Sequence, residues 1–95
     1  MAHLATATIA AQNTFTDWIE ARGSKLVDVS ISGGTTSTVT IQRSYDGSTA
    51  LDVEQHSADA ERVLQSGAFK YFRVGVKTGD YVDGATLRIE AGNAY

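Results

Sequence analysis

The sequence predicts an all-β protein that folds as an antiparallel β-sandwich. The 95 residues include nine glycines and no proline, a composition that suits turns and strands better than helices. In several short segments apolar residues alternate with polar ones, which is the pattern of strands with one buried face. Turns that contain glycine separate these segments at near-regular spacing, as in a sandwich of two sheets.

The clearest element is a hairpin whose strands are residues 39–44 and 51–54. Apolar and polar residues alternate in both strands, and Leu51 and Val53 are expected on the buried face of the second. Asp46-Gly47 lies between the strands and is a strong hairpin signal, because glycine adopts positive φ at no steric cost and aspartate tolerates it. The sequence therefore fixes the register of this pair locally.

The segments before the hairpin are also interpreted as strands. Residues 3–11 favour a strand, although so much alanine suits a helix equally well. Residues 15–23 are ambiguous, because Gly23 can end a short helix or begin a bend, and we favour extended structure. Residues 25–32 alternate clearly, with Val27, Val29 and Ile31 on one face and Leu26, Asp28 and Ser30 on the other. A loop at 33–37 joins this strand to the hairpin, which predicts three antiparallel strands in a row.

The segments after the hairpin complete the sandwich. Residues 56–65 form either a short helix capped by Ser57 or a strand after a bend, and we favour the strand. Residues 69–77 place Phe72, Val74 and Val76 on one face. Gly75 within this run indicates a bulge or a close backbone approach. Residues 85–91 close the fold with Leu87 and Ile89 inward.

Together these segments predict one domain over residues 1–95, a β-sandwich of jelly-roll or immunoglobulin-like type with about seven or eight short strands. Residues 1–24 are expected to form an arm or an edge strand that contacts neighbouring subunits. A domain of this size buries only about 60–65% of the surface that its unfolded chain exposes. We therefore expect modest stability.

Composition argues against several classes of function. The net charge of −3 and the pI near 5.1 disfavour binding to nucleic acid, which needs clustered Lys and Arg. The chain contains no cysteine, so it forms no disulfide, and folding in a reducing cytoplasm is expected. Neither a signal peptide nor a run of about 18 apolar residues is recognisable, which predicts no export signal and no membrane span.

Residue types that carry chemistry do not form a recognisable catalytic motif. His3 and His56 are far apart and lack metal-ligand spacing. His56, Ser57 and Asp59 resemble the parts of a catalytic triad, but neighbours on a strand point to opposite faces. Gly33-Gly34 lacks the context of a phosphate-binding loop. We therefore expect no enzyme activity, no catalytic residues and no cofactor.

Aspartates and aromatic residues have two interpretations each. Loop oxygens of Asp46, Ser48, Asp80 and Asp83 suit calcium, but they lack EF-hand spacing and aspartate is common in turns, so no metal is expected. Aromatic residues form either a sugar-stacking platform or anchors in the core and at subunit contacts, and the second is more common in small β domains. The candidates for subunit contacts are Trp18, Tyr81 and Tyr95.

Two parts of the chain resemble known proteins. Residues 44–51 (SYDGSTAL) look like a degenerate Asp-box hairpin, S-x-D-x-G-x-T-W, with Leu51 in place of the Trp. The pattern of residues 39–47, 51–54 and 71–81, with Gly84 and a final strand at 87–89, resembles small structural proteins of tailed-bacteriophage virions. This second resemblance runs from about Lys25 to Ile89.

The phage resemblance implies a virion structural protein, and specifically a head decoration or cement subunit. Such a subunit stabilises the capsid by bridging capsid proteins, and its expected partners are the major capsid protein or other virion proteins and further copies of itself. The protein would be made in the host cytoplasm and end in the virion. The alternative is a receptor- or glycan-binding module of a tail or head fibre.

Overall fold

The computed structural model describes residues 3–21 and 26–92, and every regular element in these ranges is a strand. The strands are β1 (Leu4–Ile9), β2 (Thr14–Phe15), β3 (Ile19–Glu20), β4 (Leu26–Ser32), β5 (Val39–Ser44), β6 (Leu51–His56), β7 (Ala60–Gln65), β8 (Tyr71–Val76) and β9 (Ala85–Ala91). The prediction of an all-β protein is confirmed. The favoured extended structure at 15–21 and the strand after a bend at 56–65 are also confirmed, whereas Gly23 and Tyr95 lie outside the described residues.

The strands form two antiparallel sheets, which we name A and B. Sheet A has the order β1-β9-β4-β7, and sheet B has the order β2-β8-β5-β6 with β3 also paired to β8. Strands β2 and β3 both pair with β8, but their registers differ by one residue. Together they therefore form one edge strand that is interrupted by a bulge.

If β2 and β3 are counted as one strand, the described residues form eight strands. Their order in the two sheets is that of a jelly roll. An immunoglobulin-like sandwich does not fit, because there the last strand lies in the sheet of strands C and F, whereas β9 pairs with β1 and β4. The first of the two predicted sandwich types is therefore the observed one.

The prediction of three consecutive antiparallel strands is wrong. Strand β4 pairs with β7 and β9, and residues 33–38 carry the chain from sheet A to sheet B. Two aspartates hold this crossing. The Asp59 carboxylate accepts the N–H of Gly34 at 3.0 Å, and the Asp83 carboxylate accepts the N–H of Thr36 at 2.7 Å. Alternation of apolar residues specifies which face is buried, but it does not specify which strand lies alongside.

The core lies between the two sheets, and it contains the apolar faces predicted for β4, β8 and β9. Its largest fully buried side chains are Phe72, Ile9, Ile19, Ile31, Ile41, Leu87, Ile89, Val27, Val29, Val39, Val74 and Val76. Strand β6 follows the prediction only at Val53, which is partly buried against the core. A register shift between Ile41 and Gln42 places Glu54, instead of Val53, opposite Ile41, and Leu51 is 42% exposed. The predicted burial of Leu51 is therefore wrong.

The loop between β5 and β6 is closed by side chains as well as by its glycine. Gly47 has a φ of 82°, which confirms the positive φ expected from the sequence. Asp46 acts differently from the expectation, because its Oδ1 accepts the N–H groups of Ser48 and Thr49, each at 2.9 Å. The Ser44 hydroxyl accepts the N–H of Gly47 at 2.9 Å. The loop therefore has a defined shape in which an ionised Asp46 is a structural element.

Asp46 makes the stability of the domain depend on pH in the acid range. The N–H groups of Thr49 and Ser48, and then the Ser44 hydroxyl, lower the pKa of this carboxyl below its usual value, because each donor favours the ionised form. Stability from such a carboxyl is present above its unfolded pKa of about 4 and is lost as the pH falls through the lower folded pKa. We expect Asp46→Asn to flatten the loss of stability between about pH 5 and pH 2.

Urea unfolding midpoints measured along this pH range would check the prediction. Asp17→Asn is the matched control, because it removes the same charge from an exposed side chain with no hydrogen bond to the described part of the chain. Equal slopes for Asp46→Asn and the wild type would contradict a structural role for the ionised carboxyl.

Candidate interaction surface

The outer face of sheet B is closed by its own side chains. Arg73 Nε donates to Gln42 Oε1 at 2.8 Å, Gln42 Nε2 donates to Asp52 Oδ1 at 2.9 Å, and Lys77 Nζ donates to Asp52 Oδ2 at 2.7 Å. Lys77 and then Gln42 lower the pKa of Asp52. Gln42, in the middle of this chain of hydrogen bonds, is 6% exposed, and Thr40 on the same strand is 0% exposed. Thr40 also accepts a hydrogen bond from Gln55 Nε2 at 3.3 Å, so the side chains of Thr40 and Gln42 on this face both have partners within sheet B.

Trp18 forms part of this cover. The Arg73 guanidinium lies 4.3 Å from the ring centre of Phe15 and 4.5 Å from that of Trp18. The bulge between β2 and β3 places both rings beside Arg73, where each makes a cation–π contact. Burial also lowers the pKa of Arg73. Trp18 therefore already packs against its own chain, and its contact with a neighbouring subunit stays a prediction.

The other two predicted contact residues lie elsewhere. Tyr81 lies in the loop between β8 and β9, where its side chain is half-buried against the core. Tyr95 lies outside the described residues. The roles of Trp18, Tyr81 and Tyr95 as subunit contacts stay predictions.

The outer face of sheet A is open, and we name it the sheet A face. Its exposed aliphatic side chains are Leu4, Leu26 and Val63, at 45%, 46% and 58% exposure. Leu4 pairs with Glu90, Glu90 with Asp28, and Asp28 with Val63, so these four residues form one row across all four strands. Leu26 lies two residues along β4 and is a diagonal neighbour of Val63. This arrangement places two acidic residues, Glu90 and Asp28, between the apolar side chains of Leu4 and Val63.

The charges on the sheet A face are mostly acidic. Arg88 Nη2 lies 2.7 Å from Glu90 Oε1, and the Ser30 hydroxyl donates to Glu61 Oε2 at 2.6 Å. Asp28 has no hydrogen bond or ion pair within residues 3–21 and 26–92. The sequence placed Leu26 and Asp28 on the solvent side of β4. It contains no signal that Leu4 and Val63 lie on the same surface, because that depends on the strand order.

Side chains of the edge strands β6 and β7 form an ionic cluster. Arg62 Nε and Nη2 donate to the two oxygens of Glu54 at 2.8 and 2.9 Å, and His56 Nε2 lies 2.9 Å from Glu54 Oε1. Arg62 and then His56 lower the pKa of Glu54 to about 2. Because β6 belongs to sheet B and β7 to sheet A, this cluster joins the sheets at their margin. His56 therefore has a structural partner.

Two of the loop aspartates considered for calcium, Asp46 and Asp83, accept hydrogen bonds from their own chain. Asp83 accepts the N–H and hydroxyl of Thr36 and the hydroxyl of Thr35 at 2.7–2.9 Å, and these donors lower its pKa. In the described ranges no three His, Cys, Asp or Glu side chains are arranged to hold a metal ion.

No helix long and apolar enough to span a bilayer occurs within residues 3–21 and 26–92.

Aromatic stacking marks one end of the sandwich. The rings of Tyr45 and Phe69 have centres 3.9 Å apart and planes 21° apart, and Arg43 Cζ lies 3.9 Å from the Phe69 centre. Two groups that each stack 3.9 Å from the centre of one ring would overlap on the same face. Arg43 and Tyr45 therefore lie on opposite faces of the Phe69 ring. Tyr45 is 60% exposed, and the buried Arg43 Nε has no hydrogen-bond partner in the described structure. In the sequence, Tyr45 is only one of several scattered aromatic residues.

Comparison of the chain with protein-family models, with curated proteins and with solved structures finds no match.

Proposed function

We propose that this protein is a bacteriophage virion structural protein, a head decoration subunit that bridges capsid proteins by contact instead of catalysis. The observation that carries the proposal is the sheet A face, on which Leu4, Leu26 and Val63 are exposed together. Grouped exposed aliphatic side chains are typical of protein–protein contact sites. The resemblance of residues 25–89 to virion modules supports the same proposal, and jelly rolls occur in viral capsid domains, although a fold alone does not determine function.

In this proposal the subunit binds the capsid through several small contacts at once. A surface of four strands about 4.8 Å apart and six or seven residues long has a plan area of roughly 400 Å², which is about half of the roughly 800 Å² per partner of a stable interface. Several such contacts to neighbouring capsid proteins make later binding steps intramolecular and raise the total avidity. Further copies of the chain and virion proteins are the partners, and the virion is the final location.

The second candidate is a glycan- or receptor-binding module. Tyr45 favours it, because an exposed ring next to Arg43 resembles the stacking surfaces that bind sugars, and jelly rolls also occur in lectins. In that case the end of the sandwich near Tyr45 would bind the host surface, and the sheet A face would contribute little.

Virions of the phage that encodes this chain would test the proposal. Particles without the protein should release their genome at lower temperature, and added wild-type protein should restore them. Leu26→Ser and Val63→Ser should each weaken binding to such particles by about tenfold, since each loses roughly 1–2 kcal/mol of apolar burial. Leu51→Ser is the control, because Leu51 is similarly exposed but lies on an edge of sheet B.

The same particles separate the two candidates. Equal heat resistance with and without the protein, combined with failure of Tyr45→Ala particles to adsorb to host cells, would replace decoration with receptor binding. Trp18→Ala is a poorer test of contact with a neighbour, because it also removes the ring that lies 4.5 Å from Arg73.

A further inference from the structure

The four sheet edges of the described structure differ in how they are protected against pairing with another chain. Strand β6 has a register shift and two carboxylates, β7 carries Glu61 and Arg62, and β2 and β3 have only two residues each. Bulges, charges and short strands are the usual means of blocking an edge. Strand β1, LATATI, has six residues in unbroken register with β9 and contains no charge and no proline. It is therefore the unprotected edge.

The hydrogen-bonding phase of β1 shows which of its backbone groups face outward. Ala91 N donates to His3 O at 2.8 Å, and Leu4 is opposite Glu90. In an antiparallel pair, hydrogen-bonded residues alternate with residues whose N–H and C=O point away. The outward groups are thus those of Leu4, Thr6 and Thr8, and the described structure gives them no backbone partner.

We propose that β1 pairs with β1 of a second copy, antiparallel, across a two-fold axis at Thr6. In this register Thr6 is opposite Thr6 of the second copy, and Leu4 is opposite Thr8. The outward N–H and C=O groups of all three residues then find partners in hydrogen-bonded pairs. On the outer face the pairing brings threonine to threonine at the axis, which is a favourable cross-strand pair.

The phase excludes registers shifted by one residue, and among the registers that keep the phase the axis at Thr6 is the one that pairs Leu4, Thr6 and Thr8 all within β1. A shift of one residue would place the core face of one copy against the outer face of the other, because side chains alternate with a period of two. No charged residue lies on β1, so the two-fold axis brings no like charges together. The interface is isologous and closes after two copies, because the other edges are protected as described above.

The pair has a geometric consequence for the sheet A face. A two-fold axis perpendicular to the sheet joins two four-stranded sheets into one of eight strands, with both sheet A faces pointing to the same side. The plan area doubles to roughly 800 Å², which is about the area per partner of a standard interface. Use of this surface to bind a capsid rests on the proposed function, whereas the pairing itself does not.

Cysteine cross-linking tests the register directly, because the chain contains no cysteine. Thr6→Cys places two thiols opposite each other on backbones about 5.5 Å apart, within the range for a disulfide. Leu4→Cys is the matched control, since its two thiols would be about 13 Å apart along the strands. With a mild oxidant at about 0.1 mM protein, we expect Thr6→Cys to cross-link about tenfold faster than Leu4→Cys. A mixture of Leu4→Cys and Thr8→Cys should form the mixed dimer.

Sedimentation equilibrium provides the second measurement. The wild type should form dimers as its concentration rises towards about 1 mM, and Thr6→Lys should remain monomeric, because it places two ammonium groups at the axis. Thr86→Lys carries the same change one strand inward on the exposed face and should still dimerise. Circular dichroism confirms that each variant is folded.

Three results would overturn the pairing. The first is a monomeric wild type at about 1 mM with equal cross-linking of Thr6→Cys and Leu4→Cys. The second is efficient cross-linking by Leu4→Cys alone, which would indicate another register. The third is protection of the Thr6 amide from hydrogen exchange only after a virion protein is added, which would identify a foreign strand as the occupant. Normal dimerisation with no effect of the protein on genome release would reject only the proposed function.

Discussion

Phe72→Ala is expected to destabilise the domain by about 3–5 kcal/mol, the usual cost of deleting a fully buried aromatic side chain. Phe72 is 1% exposed and lies on β8, which pairs with β5 on one side and with β2 and β3 on the other. The deletion leaves a cavity between the two sheets, and the strands paired on both sides of β8 limit how far it can close. Since a small domain has a total stability of about 5–15 kcal/mol, much of the folded population would be at risk at elevated temperature.

Urea unfolding followed by tryptophan fluorescence would measure this effect, because Trp18 is the single tryptophan of the chain. Val63→Ala is the control, since Val63 is 58% exposed and its truncation should change stability by less than about 0.5 kcal/mol. A shift of less than about 1 kcal/mol for Phe72→Ala would contradict a close-packed interior at this position.

Gly75→Ala is expected to detach β2 from sheet B and to destabilise the domain by about 1–3 kcal/mol, as overpacking does. A Cβ at this position would lie 2.5 Å from Phe15 Cα and would also overlap the carbonyl oxygen of Thr14. Both atoms belong to the β2 backbone or are fixed to it, so β2 has to move as a unit. The sequence expectation of a close backbone approach at Gly75 is thereby confirmed.

Two measurements would detect this local detachment. The Thr16 N–H donates to Val74 O at 2.9 Å, so its protection from hydrogen exchange should fall, and Trp18 fluorescence should shift to the red as its stack with Arg73 opens. Gly92→Ala is the matched control, because its added Cβ would be 3.5 Å from the nearest atom, Leu26 O. Retained protection of Thr16 in Gly75→Ala would show that β2 accommodates the methyl group.

The two outer faces of the sandwich explain why the site was only partly predictable. On sheet B, Gln42 and Asp52 look like ordinary solvent-facing strand residues in the sequence, but Arg73 and Lys77 cover them with hydrogen bonds. On sheet A, Leu26 was correctly assigned to the outer side of its strand. Leu4 and Val63 come from the two edge strands, and only the order of strands places them at the two ends of one row.

Sequence alone determined the features that depend on neighbouring residues. Alternation gave the strands β4, β5, β8 and β9 and their buried faces, and Gly47 gave the turn of the central hairpin, because side-chain direction and positive φ are local properties. Tertiary structure decided that β4 pairs with β7 and β9, that β2 and β3 form one bulged edge of sheet B, and that the pairing of β5 with β6 changes register between Ile41 and Gln42. These outcomes depend on contacts between residues distant in sequence, where closure of long loops and packing of two sheets select among pairings that the local pattern permits equally.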